Sequence, residues 1–340
     1  MTVLGDLGEE RVIALFARGD PPAELVVPNG DDAAAFRPRE GAAVVLTTDS
    51  LVEEVHFVLP PDDPGAEAAR AVGRKLMAVN LSDIAAMGAR PRYALLAPSF
   101  PASTPVEVAT AIADGIHAQA ARYRVAIVGG NVSGSPGSIV LAATLVGEAP
   151  PDGLVRRAGA RVGDAIYVSG HLGDARAGLA LLTGGGPDVA EAHRRALERA
   201  QTDPEPRVAE GLALAATGRV HAMCDVSDGL ARDLARLLGP DRRGARIEAA
   251  RLPISSALDA FARAAGIDPI AEAVAGGEDY ELLLTAPPEA EAELGQACRG
   301  AGTSLTRVGT ITDGGRLELV GVDGGISDLS GGFDHFRAGA

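Results

Sequence analysis

Residues 42–50 read AAVVLTTDS, a run of small and β-branched apolar residues that ends on two hydroxyls and a carboxylate. This pattern predicts a buried strand over 42–48 that stops at Asp49. The same arrangement recurs along the chain. Gly30-Asp31-Asp32, Asn80-Leu81-Ser82-Asp83, Asp225-Val226-Ser227-Asp228 and Gly276-Gly277-Glu278-Asp279-Tyr280-Glu281 each place carboxylates at or just past an apolar run, often beside a hydroxyl. An α/β domain gathers strand ends and helix starts on one edge of its sheet. Carboxylates collected there repel one another unless cations neutralise them. Carboxylate and hydroxyl oxygens are the donors that hard divalent cations take, and Mg²⁺ prefers a few carboxylates with waters and substrate phosphates. The pattern therefore points to Mg²⁺-dependent chemistry on phosphates.

Taken singly, each signature also has a plain structural reading. Gly30-Asp31-Asp32 fits a turn, and so does Gly129-Gly130-Asn131. Thr47-Thr48-Asp49 fits a strand end with a capping carboxylate. Ser82-Asp83 and Ser227-Asp228 fit helix N-caps, the first opening a short helix over 84–87 that Gly88 closes. Gly170-His171-Leu172-Gly173 fits a phosphate cradle and, equally, a tight strand-to-helix turn. His56 reads as a polar loop residue or a substrate contact, and Lys75 as a phosphate contact or a helix-surface lysine. There is no GxxxxGK[ST] loop, no GxGxxG in a strand-to-helix setting, no GxSxG elbow and no His spacing suited to a metal. The joint occurrence of the acidic signatures at predicted strand ends and helix starts is what favours a site.

Outward from residues 42–50, helices are expected over 9–17, 65–79 and 105–121, with strands over 93–96, 125–128 and 139–146. After Pro150-Pro151-Asp152-Gly153 the pattern changes, which predicts domains over 1–150 and 151–340. The second part should hold strands near 165–169, 245–249, 280–285, 304–311 and 315–320. Its helices are expected near 174–182, 189–200, 206–217, 228–238, 255–264 and 288–299. The fold class read from this order is α/β followed by α+β. Aromatic residues are only 3% and Trp is absent, so Ala, Leu, Val and Ile must fill the core. The net charge of −15 argues against nucleic-acid binding and sets up repulsion against any phosphate ligand that metals or local Arg and Lys must offset. Cys224 and Cys298 are the only cysteines and lack CxxC spacing, which fits a reducing compartment rather than a disulfide or zinc scaffold. No apolar run approaches the ~20 residues of a membrane span. With no leader at Met1, a cytoplasmic protein is expected.

Together the segments GDDAAA (30–35), TTDSLVEEVHF (47–57), KLMAVNLSDIAAMGARP (75–91), VGGN (128–131), RAGARVGD (157–164), DVSDGL (225–230), GGEDYEL (276–282) and GGFDHF (331–336) occur in an order and combination that resembles the thiamine-monophosphate kinases. These belong to the aminoimidazole-ribonucleotide-synthetase-like superfamily. The resemblance implies a two-domain fold of that type, with the N-terminal sheet pairing across a homodimer. It implies transfer of the ATP γ-phosphoryl group directly onto thiamine monophosphate, assisted by several Mg²⁺ ions, with ATP and metals between the domains. Carried over residue by residue, Asp32, Thr47, Thr48, Asp49, Asp83, Asn131, Asp225 and Asp228 would hold metal. Gly130, Asn131, Arg157 and Ser227 would contact ATP, and His56, Glu278 and Phe333 would line the thiamine pocket. No side chain is implied as acid, base or nucleophile. Asn131 stands where the family commonly has a metal-binding Asp; its amide oxygen still ligates, but one negative charge is lost. Gly134 stands close to where an Arg is common. The alternatives are another ATP-dependent enzyme of the superfamily, such as an aminoimidazole ribonucleotide synthetase, or a non-catalytic nucleotide or thiamine-phosphate binding protein.

Overall fold

The computed structural model describes residues 2–18, 22–28, 32–59, 66–239 and 243–333. The chain divides into two compact units, Met1–Ile84 with Ala89–Asp152, and Ala85–Gly88 with Gly153–Ala340. Gly30, Asp31 and the Asp334–Phe336 part of the C-terminal signature lie outside the described residues.

In the first unit, helices α1 (Leu4–Leu7) and α2 (Glu9–Phe16) and the short pair β1 (Leu25–Val27) and β2 (Ala35–Phe36) precede β3 (Ala43–Val52). Then come α3 (Ala66–Ala86), β4 (Arg90–Phe100), α4 (Val106–Tyr123), β5 (Ala126–Gly130), β6 (Ser133–Gly134) and β7 (Val140–Ala149). The main sheet has the order β3-β7-β4-β5, with β6 beside β4. The β3–β7 and β7–β4 pairs are antiparallel and β4–β5 is parallel. Apolar positions decide the layering. On β3, Val45 and Leu51 are buried while Val44, Leu46, Thr48 and Ser50 are exposed, so one face of the strand is turned to the core. Helices α3 and α4 cross at two glycines. A Cβ on Gly73 would lie 2.0 Å from the Ile112 carbonyl oxygen, and one on Gly115 would lie 2.0 Å from that of Arg70. Only glycine allows this approach.

The expected helix break at Asn80–Asp83 does not occur. Helix α3 runs unbroken from Ala66 to Ala86, so Ser82 and Asp83 are helical residues near its end and not N-caps. Leu76, Met77, Val79, Leu81 and Ile84 are all buried, and this apolar packing carries the helix through its polar stretch. Asn80 is itself fully buried; its amide donates to the Leu76 carbonyl at 3.0 Å and accepts the Asp49 N–H at 3.1 Å. Lys75 is not a surface residue either. It is 2% exposed and its ammonium donates to the His56 carbonyl at 2.9 Å.

The second unit contains β8 (Ala165–Ser169), α5 (Asp174–Leu182), α6 (Glu191–Thr202), α7 (Val208–Ala216), β9 (Ala222–Asp225), α8 (Leu230–Leu238) and β10 (Arg243–Glu248). It continues with α9 (Ser256–Ala265), α10 (Pro269–Ala275), β11 (Leu282–Ala286), α11 (Glu291–Ala301), β12 (Leu305–Asp313), β13 (Leu317–Val320) and β14 (Ile326–Asp328). Its sheet has the order β14-β13-β10-β12-β8-β11-β9. Only the β10–β13 pair in it is parallel. Strands β8 and β11 are buried along their whole length, between apolar residues such as Leu172, Leu230, Leu234 and Val308. Helix α8 begins at Leu230, not at Asp228, and Gly229 takes the N-cap position.

Candidate active site

In the first unit the site residues collect where β3 meets the end of α3. The Thr47 hydroxyl donates to Oδ2 of Asp83 at 2.5 Å. Asp49 follows on the same strand and is tied through its N–H to Asn80, one turn before Asp83 on α3. The pleat separates Thr48 from this group: its hydroxyl donates to the Ala143 carbonyl (3.0 Å) and accepts from Thr144 (3.1 Å) on the opposite face. Asp32 is exposed. His56 lies in the turn after β3, where Nδ1 accepts the Val52 N–H at 3.0 Å. In the neutral imidazole the ring proton is then on Nε2, which leaves that nitrogen as a donor.

Gly130 and Asn131 end β5. Gly130 has φ +150°, and a Cβ there would lie 1.9 Å from the Leu96 carbonyl oxygen, which accepts the Asn131 N–H at 2.8 Å. Registers place these residues relative to the β3 group. Asp49 pairs with Ala143, Ala143 with Leu96, and Leu96 with Gly130, so one transverse row crosses the sheet. Three strand spacings separate its ends by about 14 Å. A single ion cannot span that distance, whereas an extended polyphosphate with several ions can. A cavity of ≈ 110 Å³ adjoins this row, lined by Ile13, Phe16, Leu96, Pro98 and Gly129–Val132.

In the second unit, three distant signatures meet at the end of β9. Tyr280 donates its N–H to the Val226 carbonyl (2.9 Å), Val226 to that of Glu281 (2.8 Å), and Glu278 to that of Ser227 (2.7 Å). Phe333 donates its N–H to the Asp228 carbonyl (2.9 Å), and its own carbonyl accepts from Arg232. The Met223 N–H donates to the Arg156 carbonyl (2.9 Å), which lays the segment carrying Arg157 beside β9. Asp225, 3% exposed, closes that strand. Asp228 is paired with Arg236 at 2.5 Å. Phe333 keeps 46% of its surface exposed. Among the described residues, no group of three or more His, Cys, Asp or Glu has the geometry of a metal site.

The acidic signatures are not uniform. Asp279 is half-buried and accepts the N–H groups of Gly173 (2.8 Å) and Ala175 (3.4 Å) at the start of α5. The helix N-terminus that a phosphate would need is thus filled by the chain's own carboxylate, and Gly170–Gly173 is a structural turn. Burial raises the Asp279 pKa well above the usual carboxylate range, against the opposing effect of these hydrogen bonds. Asp233 does the same service before α8, where one oxygen accepts from Ser227, Asp228 and Gly229 at 2.8–3.1 Å. Its pKa is also raised, chiefly by burial. Glu281 binds Arg207 through both oxygens (2.7 and 2.5 Å) and accepts from Ser169 (2.5 Å). Glu278 is partly buried, with its Oε2 held by Gln201, and its main chain is in a left-handed conformation (φ +64°), with Tyr280 at φ +51°. Backbone strain of this kind, about 1–3 kcal/mol per residue, persists where the surroundings impose it.

Comparison with known proteins bears on what these groups do. The chain matches the AIR synthase related protein N-terminal domain over residues 30–149 and the corresponding C-terminal domain over 161–322. A thiamine-monophosphate kinase from Mycobacterium tuberculosis is 39% identical over 284 residues, 82% of this chain and 81% of that protein. The chain belongs to the thiamine-monophosphate kinase family. The crystal structure of the Stenotrophomonas maltophilia thiamine-monophosphate kinase superposes with a TM-score of 0.78 at 35% identity, covering 94% of this chain and 96% of that one. A structure described as AaThiL complexed with AMPPCP and TMP superposes with a TM-score of 0.76 at 31% identity, covering 99% of each chain. This member of the thiamine-monophosphate kinase family thus has both AIR synthase related domains, as its motifs imply. Asn80, Gln201, Arg207 and Arg236 escape the reading of the sequence. Asn80 has a local signal, a polar residue inside an apolar helical run; the other three are placed only by partners distant in the chain or on another turn.

Proposed function

We infer that the chain transfers the γ-phosphoryl group of ATP to thiamine monophosphate, forming thiamine diphosphate and ADP. Family membership over both domains carries this reading. The transverse row from Asp49 to Gly130 supports it, since its length suits a polyphosphate with more than one cation. Asp32, Thr47, Asp49, Asp83 and Asn131 hold Mg²⁺ from the first unit, and Asp225 and Asp228 from the second. All present oxygen, the donor type this ion takes. Thr48 takes part only through its main chain, because its hydroxyl is committed to the other face. Asp228 would hold a cation by giving up its ion pair with Arg236. When bound, Mg²⁺ neutralises donor and acceptor phosphate oxygens and stabilises the charge of transfer.

The protein's own residues position the reactants. Gly130 lets the main chain approach the nucleotide phosphates, while Arg157 and Ser227 bind ATP. His56, Glu278 and Phe333 receive the thiamine end. Phe333 offers an aromatic face, and Glu278 an acceptor for the aminopyrimidine and a charge opposite the thiazolium. The acceptor phosphate is already largely ionised near neutral pH. No general base is needed, and transfer runs in line without a phosphoenzyme. With ATP and Mg²⁺, ADP should appear only when thiamine monophosphate is added, and EDTA should stop it. ATP binding without ADP formation would instead favour the non-catalytic reading.

A cytoplasmic homodimer completes the proposal. No helix among the described residues is long and apolar enough to cross a membrane. Strand β3 is an edge strand of 10 residues, and Leu46 (67% exposed) and Val44 (40%) line its outer face. An apolar edge of this kind is normally covered. Leu46→Asp should shift the chain from dimer to monomer in sedimentation velocity; a parent chain that is already monomeric would contradict the pairing.

A further inference from the structure

We propose that Gln201 is a positioning residue that sets specificity for the thiamine end of the substrate by fixing the carboxylate of Glu278. The inference rests on the thiamine-monophosphate reading of that site. Gln201 lies in the last turn of α6 and is 4% exposed, the burial of a core residue for a side chain usually found at the surface. Its Nε2 donates to Oε2 of Glu278 at 2.6 Å. A carboxylate only accepts, so the amide must turn its NH₂ toward it, and the orientation of Gln201 is settled by chemistry. The main chain of Glu278 is already fixed by its N–H bond to Ser227 and its left-handed φ. The remaining freedom of Glu278 lies in its side-chain torsions, and Gln201 removes it. A charged acceptor held at one angle distinguishes an aminopyrimidine, which donates N–H, from a heterocycle without that donor.

Gln201→Leu keeps the volume and removes the donor. With that hydrogen bond lost, the KM for thiamine monophosphate should rise about tenfold or more while the KM for ATP keeps its parent value. Gln201→Glu keeps the shape and replaces the donor by a second carboxylate, which repels Glu278 and should raise the KM for thiamine monophosphate further than Gln201→Leu. The experiment is to measure both KM values for the parent and the two variants, with thermal melts alongside. A selective rise for thiamine monophosphate in Gln201→Leu and a larger one in Gln201→Glu, with the KM for ATP unmoved in both, support the proposal. Unchanged KM values, or equal rises for both substrates, overturn it and leave the kinase reading standing. A parent chain that does not turn over thiamine monophosphate overturns both.

Discussion

Asp83→Ala should abolish turnover while the chain stays folded. The site handles phosphates with a protein of net charge −15, so its carboxylates help only through the cations they hold. Asp83 is central to the first-unit group, on α3 with Thr47 at 2.5 Å. Removing it should lower kcat about 1000-fold, as the loss of a main electrostatic contributor does in other enzymes. Alanine is the best helix former and Asp83 is partly exposed, so the melting temperature should hold. Asp83→Asn separates the two contributions of the side chain. It keeps an oxygen for the Thr47 hydroxyl and loses the charge, and it should be nearly as inactive. Near-normal Mg²⁺-dependent turnover in either variant, followed by ADP release, would contradict the placement of metal at this end of β3.

Arg207→Ala should be the most destabilising single change in the second unit, costing about 3–5 kcal/mol. Arg207 joins Glu281 through two hydrogen bonds and Thr303 through a third at 3.0 Å, and Thr303 in turn donates to Glu210 at 2.5 Å. The side chains of Glu281 and Glu210 are each 7% exposed. Burial alone would lower the Arg207 pKa, but the hydrogen bonds and charge of Glu281, with Glu210 beyond, raise it above its ordinary value. Without the guanidinium, Glu281 becomes a buried charge with only Ser169 and main-chain neighbours. The double change Arg207→Met with Glu281→Leu should recover much of the loss, since an apolar pair of similar volume removes the uncompensated charge. Far-UV circular dichroism in urea can follow this without tryptophan. Equal stability of parent and Arg207→Ala would show that the pair contributes no net stability. Glu281 belongs to the same segment as Glu278, so the single variant should also weaken thiamine-monophosphate binding.

Local pattern reveals most of the elements of this chain. The strand expected over 42–48 is present because its apolar run has no competing period, but it does not stop at Asp49: β3 runs on to Val52, held by its pairing with β7, so Asp49 lies inside the strand. Residues 165–169 and 174–182 match the observed β8 and α5. The errors occur where a polar residue is satisfied at long range. Asn80 and Asp83 look like parts of a helix start because their partners Asp49 and Thr47 lie more than thirty positions away. Lys75 looks like a surface residue for the same reason. Helix α10, absent from the expected elements, carries a local signal, with Asp268 as N-cap and Pro269 at the first turn. For the site, residue types and order are legible but division of labour is not. In GGEDYEL the three acids are alike in sequence. Only the fold assigns Asp279 to a helix terminus, Glu281 to Arg207 and Glu278 to Gln201.

Direct transfer from ATP to the phosphate of thiamine monophosphate fixes where a γ-³²P label must go when the purified chain is incubated with γ-³²P-ATP, Mg²⁺ and thiamine monophosphate and the products are separated. The label should appear in the terminal phosphate of thiamine diphosphate, one equivalent per ADP, with none retained on the protein at any time. Label released as inorganic phosphate, label bound to the protein, or ADP formed without thiamine diphosphate would contradict it.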